Sequence, residues 1–359
     1  MSKARQLADN GAATPNRNMV INGAMNVAQR STSVTGLGGA SEYSTLDRWK
    51  VNGIAANAGR LTMSQTADGP VGFANCLKLD CTTADTSIAA GEKLALQHIF
   101  EGQNIQRIGK GVTGAKQVTV SFYVKASAAF TFAAELYDGD NVRQISKLFA
   151  TTTGWVRHEI TFPADVDDGS SPFDDDNAAS LYLVLWLHAG SNFTSGTLNS
   201  SSWANVTTAN RAAGIDSFFS STDNNFFLTG VQMEVGPAAT PFEHKTFGQD
   251  LAESRRYYTT HEFSGQEFVN IEANTATHKF CGFPLPGNMR TTPTVTLPSG
   301  MTGGAVSGLA GTVSAVTVTS TQENRCAFRV TMSEATGTAR AVHHCDTFDA
   351  DVATIDAEL

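Results

Sequence analysis

Residues 118–125 read Val-Thr-Val-Ser-Phe-Tyr-Val-Lys, and this short stretch decides the fold class. Valine or phenylalanine occupies every second position, and the residues between them are more polar. Successive side chains of a β-strand point to opposite faces of a sheet, so a period of two predicts a strand with one buried and one wetter face. The sequence therefore predicts a mainly β protein.

Similar segments recur from about residue 18 to residue 243, and clusters of Gly, Asn, Asp and Ser separate them. Short strands at such spacing indicate a β-sandwich or jelly roll. The apolar run Leu181–Leu187 does not alternate, so we expect it to be covered on both faces. The predicted strands are Met19–Val27, Arg48–Val51, Arg60–Ser64, Cys76–Asp80, Lys93–Phe100, Gln117–Lys125, Phe132–Tyr137, Val156–Phe162, Leu181–His188 and Phe226–Val235.

The chain has 359 residues, more than a single core usually supports, so more than one domain is expected. Phe247, Leu251 and Arg255 recur at helical spacing and predict a short helix between two β regions. The predicted organisation is an N-terminal docking peptide (1–17), a jelly-roll β-sandwich (18–245), a linker helix (246–259) and a small C-terminal β domain (260–359).

Composition disfavours several partners. The net charge is −9 and the longest basic run is the pair Arg255-Arg256, so a surface that tracks nucleic acid is not expected. No apolar run approaches the ~20 residues of a spanning helix, and no signal peptide is recognisable, so we predict neither membrane insertion nor export. Five cysteines without CxxC spacing favour free thiols and synthesis in a reducing cytoplasm.

No catalytic motif for nucleophilic, zinc or nucleotide chemistry is present, so no catalytic residue and no cofactor are predicted. Glu135 and Glu159 are the carboxylate pair to examine for glycosidase chemistry. Residues 343–346 read His-His-Cys-Asp, but alternate side chains of a strand face opposite ways, so at most two of them could share a metal. Exposed carboxylates on a wet face are the favoured interpretation of the glutamates.

Sugar binding requires fewer structural features than catalysis. An exposed aromatic ring packs against the apolar face of a pyranose, and polar side chains around the ring form hydrogen bonds with the sugar. Trp155 follows the turn at residues 151–154, and Trp203 lies in a long polar loop at residues 189–217. Tyr137 ends a predicted strand. These three residues are the predicted glycan-binding side chains.

Several motifs occur in a fixed order along residues 18–258. Together they resemble a family of bacteriophage virion proteins, mostly tail fibres and related appendages, that carry a jelly roll similar to carbohydrate-binding modules. The motifs are Asn18–Met25 (NMVINGAM), Gln29–Thr32 (QRST), Leu46–Trp49 (LDRW), Phe227–Gly236 (FLTGVQMEVG), Ala239–Glu243 (ATPFE), Ala252–Tyr258 (AESRRYY) and, further on, Met289–Val295 (MRTTPTV).

The resemblance implies a role in the virion. Such appendages are usually homotrimers that contact other virion proteins and, in some cases, host surface polysaccharide. The N-terminal peptide, with Arg5 and Leu7, would attach the subunit to the particle. Related carbohydrate-binding modules hold a structural Ca²⁺ ion near the terminal strands, and Asn22 and Glu234 would be its ligands here. Two alternatives remain: a purely structural head fibre, capsid decoration or connector, and a polysaccharide depolymerase.

Overall fold

A computed structural model describes residues 16–166, 171–263, 272–273, 278–297, 313–332 and 351–359. The chain divides into two compact units, residues 1–251 and 252–359. The domain boundaries given above stay a prediction. Arg5 and Leu7, and the cluster at residues 343–346, lie outside the described residues.

The first unit is built almost entirely from strands, which confirms the predicted fold class. Cys76 and Cys81 lie on one of these strands as free, buried thiols. The elements are β1 (Ser33–Leu37), β2 (Ser41–Tyr43), β3 (Lys50–Asn52), β4 (Arg60–Thr66), β5 (Cys76–Thr83), β6 (Lys93–Glu101), α1 (Gly102–Ile105), β7 (Val118–Ala126), β8 (Thr131–Asp138), β9 (Arg143–Ala150), β10 (Val156–Phe162), β11 (Ala179–Ala189), α2 (Ser191–Thr194), β12 (Ala204–Asn205) and β13 (Asn225–Val235), with 3-10 turns at Gln106–Ile108, Thr208–Asn210 and Phe218–Ser220.

These strands form two antiparallel sheets. The six-stranded sheet has the order β1-β4-β5-β13-β7-β10, and the seven-stranded sheet has the order β12-β9-β8-β11-β6-β3-β2. Val120 and Phe122 from one sheet and Leu136 and Leu183 from the other belong to a single buried apolar cluster. The alternation that the sequence shows at residues 118–125 thus places one face of β7 in the core of a β-sandwich.

The predicted first strand, Met19–Val27, is wrong. Asn22 and Met25 have φ angles of 55° and 58°, in the left-handed region that no extended strand adopts. The segment instead makes turns and crosses β13, where the Met19 N–H donates to the Met233 carbonyl at 2.9 Å and the Val231 N–H donates to the Gly23 carbonyl at 2.9 Å. The segment therefore lies against the last strand of the sandwich without pairing with it as a strand.

Four strands of the first unit were missed by the sequence analysis. They are β1, β2, β9 and β12. The first two lie among glycines and serines at residues 33–43, and β12 has only two residues. Strand β9 reads Arg-Gln-Ile-Ser-Lys-Leu-Phe-Ala, with Arg143 and Gln144 both buried, so its burial does not follow its hydrophobicity.

Helix α3 (Phe247–Arg255) occupies the region of the predicted linker helix. Thr246 and Gln249 form a capping box at its start: the Thr246 N–H donates to Gln249 Oε1 at 2.9 Å, and the Gln249 N–H donates to Thr246 Oγ1 at 3.3 Å. The division between the two units falls within this helix. In the described part of the chain, no helix is long and apolar enough to cross a membrane.

The described strands of the second unit are β14 (Tyr258–Phe263), β15 (Glu272–Ala273), β16 (His278–Pro284), β17 (Thr294–Thr296), β18 (Val313–Gln322), β19 (Arg325–Met332) and β20 (Asp351–Asp356). They form a three-stranded sheet with the order β14-β20-β17 and a four-stranded sheet with the order β15-β16-β19-β18. Buried Tyr257, Met289 and Ile355 contribute to the interior of this unit.

Candidate functional site

Two tyrosines lie side by side on the outer face of the seven-stranded sheet. Tyr137 on β8 and Tyr182 on β11 are directly opposed in the strand register. Their ring centroids are 5.3 Å apart with an interplanar angle of 55°, and both side chains are only half-buried. We call this pair the Tyr137–Tyr182 surface. It offers two fixed aromatic faces to a ligand, at little further cost in side-chain entropy.

A buried ion pair supports this surface. Arg211 donates to Glu135 through two nitrogens, with Nε to Oε1 at 2.8 Å and Nη2 to Oε2 at 2.9 Å. The Trp186 indole N–H donates to Glu135 Oε2 at 2.7 Å. The guanidinium carbon of Arg211 lies 4.8 Å from the Tyr137 ring centroid and 5.1 Å from that of Trp186. Arg211 therefore fixes the Tyr137 ring by a cation–π contact while its charge is neutralised by Glu135.

The loop between β11 and β13 also packs against this face. Ala212 and Phe193 of this loop pack on Trp186 and Val184 in a second apolar cluster. Because Arg211 directly precedes Ala212, this packing places Arg211 next to the sheet. Burial raises the pKa of the Tyr182 phenol, and Tyr137 and Asp140 raise it further. Tyr182 is therefore a neutral hydroxyl near pH 7, able both to donate and to accept a hydrogen bond.

The other two predicted glycan-binding residues lie elsewhere. Trp155 is half-buried beside the six-stranded sheet, where its indole N–H donates to the Asp68 carbonyl at 3.1 Å and Lys125 Nζ lies 5.3 Å from its ring centroid. The Trp203 indole N–H donates to the Pro163 carbonyl at 2.9 Å, and its ring packs against the main core. The structure thus does not bring the three predicted residues together.

Trp203 belongs to a buried polar network at one end of the sandwich. Arg143 donates to both carboxylate oxygens of Asp165 at 2.9 Å and to the Trp203 carbonyl at 3.3 Å. Lys110 Nζ lies 2.6 Å from Asp138 Oδ2. Each charge in this network has an opposite partner, which is the arrangement that buried charges require. The contacts of Trp203 are therefore structural.

The two predicted metal ligands have different partners. Asn22 is fully buried, accepts from the Val27 N–H at 2.9 Å, and donates to the carbonyls of Val27 at 2.8 Å and Asp47 at 3.0 Å. Glu234 accepts from the Thr240 N–H at 2.8 Å and hydroxyl at 2.7 Å, and from Gln232 at 2.8 Å. Both side chains hold loops onto the sandwich, and they share none of these partners.

The glutamates considered for glycosidase chemistry do not face each other. Glu135 is on β8 of the seven-stranded sheet and is fully buried with Arg211, whereas Glu159 is exposed on β10 of the six-stranded sheet. A glycosidase places its two carboxylates on either side of one bond. These two residues cannot form such a pair.

Sequence reasoning missed Tyr182 and Arg211. Tyr182 belongs to the run Leu181–Leu187, which was predicted to be covered on both faces, and it is the half-buried member of an otherwise buried run. A single polar hydroxyl within an apolar run was the available signal. Arg211 lies in a long polar loop where no periodicity reveals which residue turns toward the sheet.

No family model matches the sequence, and no curated protein is similar to it in sequence. Solved structures similar to the chain include a family 4 carbohydrate-binding module at 9% identity, covering 60% of this chain and 98% of that chain with a TM-score of 0.29. Another is the CBM22-1 xylan-binding domain of Paenibacillus barcinonensis Xyn10C, at 13% identity, 64% and 100% coverage and a TM-score of 0.30.

A third is a family 11 carbohydrate-binding module of Clostridium thermocellum in complex with a β-1,3-1,4-mixed-linked tetrasaccharide, at 10% identity, 58% and 98% coverage and a TM-score of 0.28. The β-sandwich of this chain is defined by its own sheets and core. At these TM-scores, the likeness carries no argument about a ligand.

Proposed function

We propose that this chain is a subunit of a bacteriophage virion, a tail-fibre or related appendage protein that forms a homotrimer and binds a glycan of the host surface. The order of the motifs along residues 18–258 supports the virion role. The subunit would be made in the host cytoplasm, assemble with other virion proteins and perform no catalysis. Release of reducing sugar from host polysaccharide by the purified protein would contradict the proposal that it performs no catalysis.

The Tyr137–Tyr182 surface is the observation that carries the glycan-binding proposal. Glycan recognition requires aromatic faces that are already ordered, because each side chain that must be immobilised on binding costs free energy. Here Tyr137 is held by Arg211 and by the opposing Tyr182, and the Tyr182 hydroxyl is available for hydrogen bonding. Three such surfaces in a trimer would strengthen a weak single-site interaction through avidity.

Replacing both rings is expected to abolish most of this binding. We expect the double variant Tyr137→Ala/Tyr182→Ala to bind host capsular polysaccharide or O-antigen about 10–100-fold more weakly, because each lost ring contact is worth about 0.5–1.5 kcal/mol. The measurement is binding of the purified trimer to a panel of immobilised bacterial polysaccharides. Tyr43→Ala is the matched control, a half-buried tyrosine elsewhere on the same sheet. Equal binding by wild type and the double variant would reject this site.

A purely structural subunit, such as a head fibre, capsid decoration or connector, is the second candidate. Residues 16–18 favour an attachment role for residues 1–15, because hydrogen bonds hold residues 16–18 at the end of the sandwich. The Asn16 and Asn18 N–H groups donate to the Glu243 carboxylate at 2.8 Å, and the Arg17 Nε donates to Thr240 Oγ1 at 2.7 Å. Residues 16–18 are thus fixed to the sandwich by these hydrogen bonds.

Deleting residues 1–15 tests attachment without disturbing these contacts. We expect the truncated protein to keep its melting temperature and glycan binding, but to be incorporated into particles at least about tenfold less, as a loss of about 1.4 kcal/mol of docking free energy would produce. Incorporation is measured by quantitative blotting of purified particles that lack the native copy. A cut after residue 17 is less informative, because it also removes the Arg17 contacts. Normal loading of the truncated chain would show that the peptide does not attach the subunit.

A further inference from the structure

Three metal-ligating side chains meet inside the first unit, away from the Tyr137–Tyr182 surface. Asp85 and Glu92 belong to the connection between β5 and β6, and His188 lies near the end of β11. One ligating atom from each of the three lies within 4.8 Å of the others, and His188 Nε2 is 3.9 Å from Glu92 Oε2. Their exposed fractions are 4%, 3% and 0%, respectively.

Two atoms of this cluster lack a partner. Asp85 Oδ2 and His188 Nε2 are fully buried and, within the described residues, form no hydrogen bond. A buried polar atom without a partner destabilises the fold, and more so when it is charged. Moreover, neither carboxylate forms an ion pair with a lysine or arginine in the part of the chain that the structure describes. A metal ion held among the three side chains would supply the missing partner of both atoms.

The surrounding contacts orient the three groups. His188 Nδ1 is 2.8 Å from Ser217 Oγ, a hydrogen bond that leaves Nε2 as the inward-facing nitrogen. The Ser87 N–H donates to Asp85 Oδ1 at 3.1 Å and the Ala89 N–H donates to Glu92 Oε2 at 2.7 Å. Metal sites typically show this arrangement, in which the second nitrogen of a histidine and the carboxylate groups of the ligands are held by further hydrogen bonds.

The backbone keeps the connection in place. The Asp85 N–H donates to the Phe219 carbonyl at 2.7 Å, and the Gly190 N–H donates to the Glu92 carbonyl at 2.9 Å. The Phe219 ring packs edge-on against His188 with centroids 5.2 Å apart, so it covers the imidazole on that side. The three ligands thus come from two segments that the fold has already brought together.

We infer that Asp85, Glu92 and His188 bind one divalent transition-metal ion, with zinc the best match, that joins the β5–β6 connection to β11. An imidazole nitrogen with two carboxylates suits Zn²⁺, whereas Ca²⁺ and Mg²⁺ prefer all-oxygen sites. One Zn²⁺ neutralises both carboxylates. The buried position makes this a structural site.

Metal removal and return test the inference on the full chain. Protein treated with a chelator and dialysed is titrated with ZnCl₂ and, separately, with CaCl₂, in a His343→Ala/His344→Ala background so that residues 343–346 do not contribute. We expect one equivalent of zinc to bind and to raise the melting temperature by roughly 5–10 °C when free zinc exceeds its dissociation constant about 100-fold. Co²⁺ is expected to give visible absorption bands of a low-symmetry site.

The variants separate this site from adventitious binding. Asp85→Asn and Glu92→Gln keep acceptors for Ser87 and Ala89 but remove the charge, and each is expected to lose the zinc-dependent rise in melting temperature. Ser217→Ala is expected to weaken zinc binding about 10–100-fold, as loss of an outer-shell partner does. Glu159→Gln, an exposed glutamate on the other sheet, is the control and should bind as wild type. Zinc binding that survives both charge-removing variants, calcium in place of zinc, or no thermal response to any metal would overturn the inference.

Discussion

Arg211→Met is expected to lower the free energy of unfolding by about 3–5 kcal/mol, because it leaves the Glu135 carboxylate buried without its cation. Glu135 is fully buried, and its remaining donor would be the Trp186 indole. Urea denaturation monitored by tryptophan fluorescence measures the effect as a lower midpoint with an unchanged slope. The loss should also loosen the loop at residues 190–216, because Arg211 joins that loop to the sheet.

Two further variants separate burial of charge from loss of contact. Adding Glu135→Gln to Arg211→Met removes the orphaned charge and keeps an acceptor for Trp186, so we expect it to restore most of the lost stability. Lys78→Met breaks the partly exposed pair with Asp80, whose charged atoms are 3.1 Å apart, and should cost less than about 1 kcal/mol. If Arg211→Met and Lys78→Met cost the same, the buried pair does not support the face of the sheet.

The strands were predictable where apolar residues mark the side that faces the core. The alternation in residues 118–125 and the apolar run at residues 181–187 both became internal strands of the sandwich, although the polar Thr119 and Ser121 are buried as well and Tyr182 is only half-buried. Strand β9 was not predictable in this way, because Arg143 and Gln144 are buried by polar partners that only the folded chain supplies. A pattern of hydrophobicity cannot reveal the burial of polar side chains, because their loss of hydration is compensated by hydrogen bonds and ion pairs that form only in the folded chain.

The candidate sites were less predictable than the fold. Tyr137 was found because it ends a recognisable strand, but Tyr182 and Arg211, which complete its surroundings, come from other segments. The cluster of Asp85, Glu92 and His188 joins residues about 100 positions apart, with no spacing that sequence reading could recognise. Such sites depend on strand order, which a single sequence does not supply.

The segment Asn18–Met25 shows how a motif can be correct while its predicted structure is wrong. Its apolar residues at Met19, Val20 and Met25 are buried, as a strand would require, but the backbone turns at Asn22 and lies across β13. The Asn22 side chain replaces the missing strand hydrogen bonds by binding the backbone at Val27 and Asp47. What the motif encodes is a close crossing of two backbones.

Gly23→Ala is therefore expected to destabilise the first unit strongly, by about 3 kcal/mol or more, at the upper end of what overpacking costs. A β-carbon at Gly23 would lie 2.2 Å from the Val231 carbonyl oxygen. That oxygen belongs to the backbone of β13, where Val231 lies in a bulge between Thr229 and Gln232, which pair with Tyr123 and Ser121 of β7. The paired residues on either side limit how far the oxygen can move. Relief would require breaking the 2.9 Å hydrogen bond from the Val231 N–H to the Gly23 carbonyl.

Gly154→Ala is the matched control, because a β-carbon there meets nothing within 4 Å. It should leave stability within about 0.5 kcal/mol of wild type or raise it slightly, by restricting the unfolded chain. Both variants are compared by urea denaturation and by the protection of the β13 amides in hydrogen exchange. Since the crossing holds residues 18–25 onto the last strand of the sandwich, Gly23→Ala should expose those amides even below the unfolding transition. Retention of wild-type protection by Gly23→Ala would show that the crossing can open without cost, and the motif would then need another explanation.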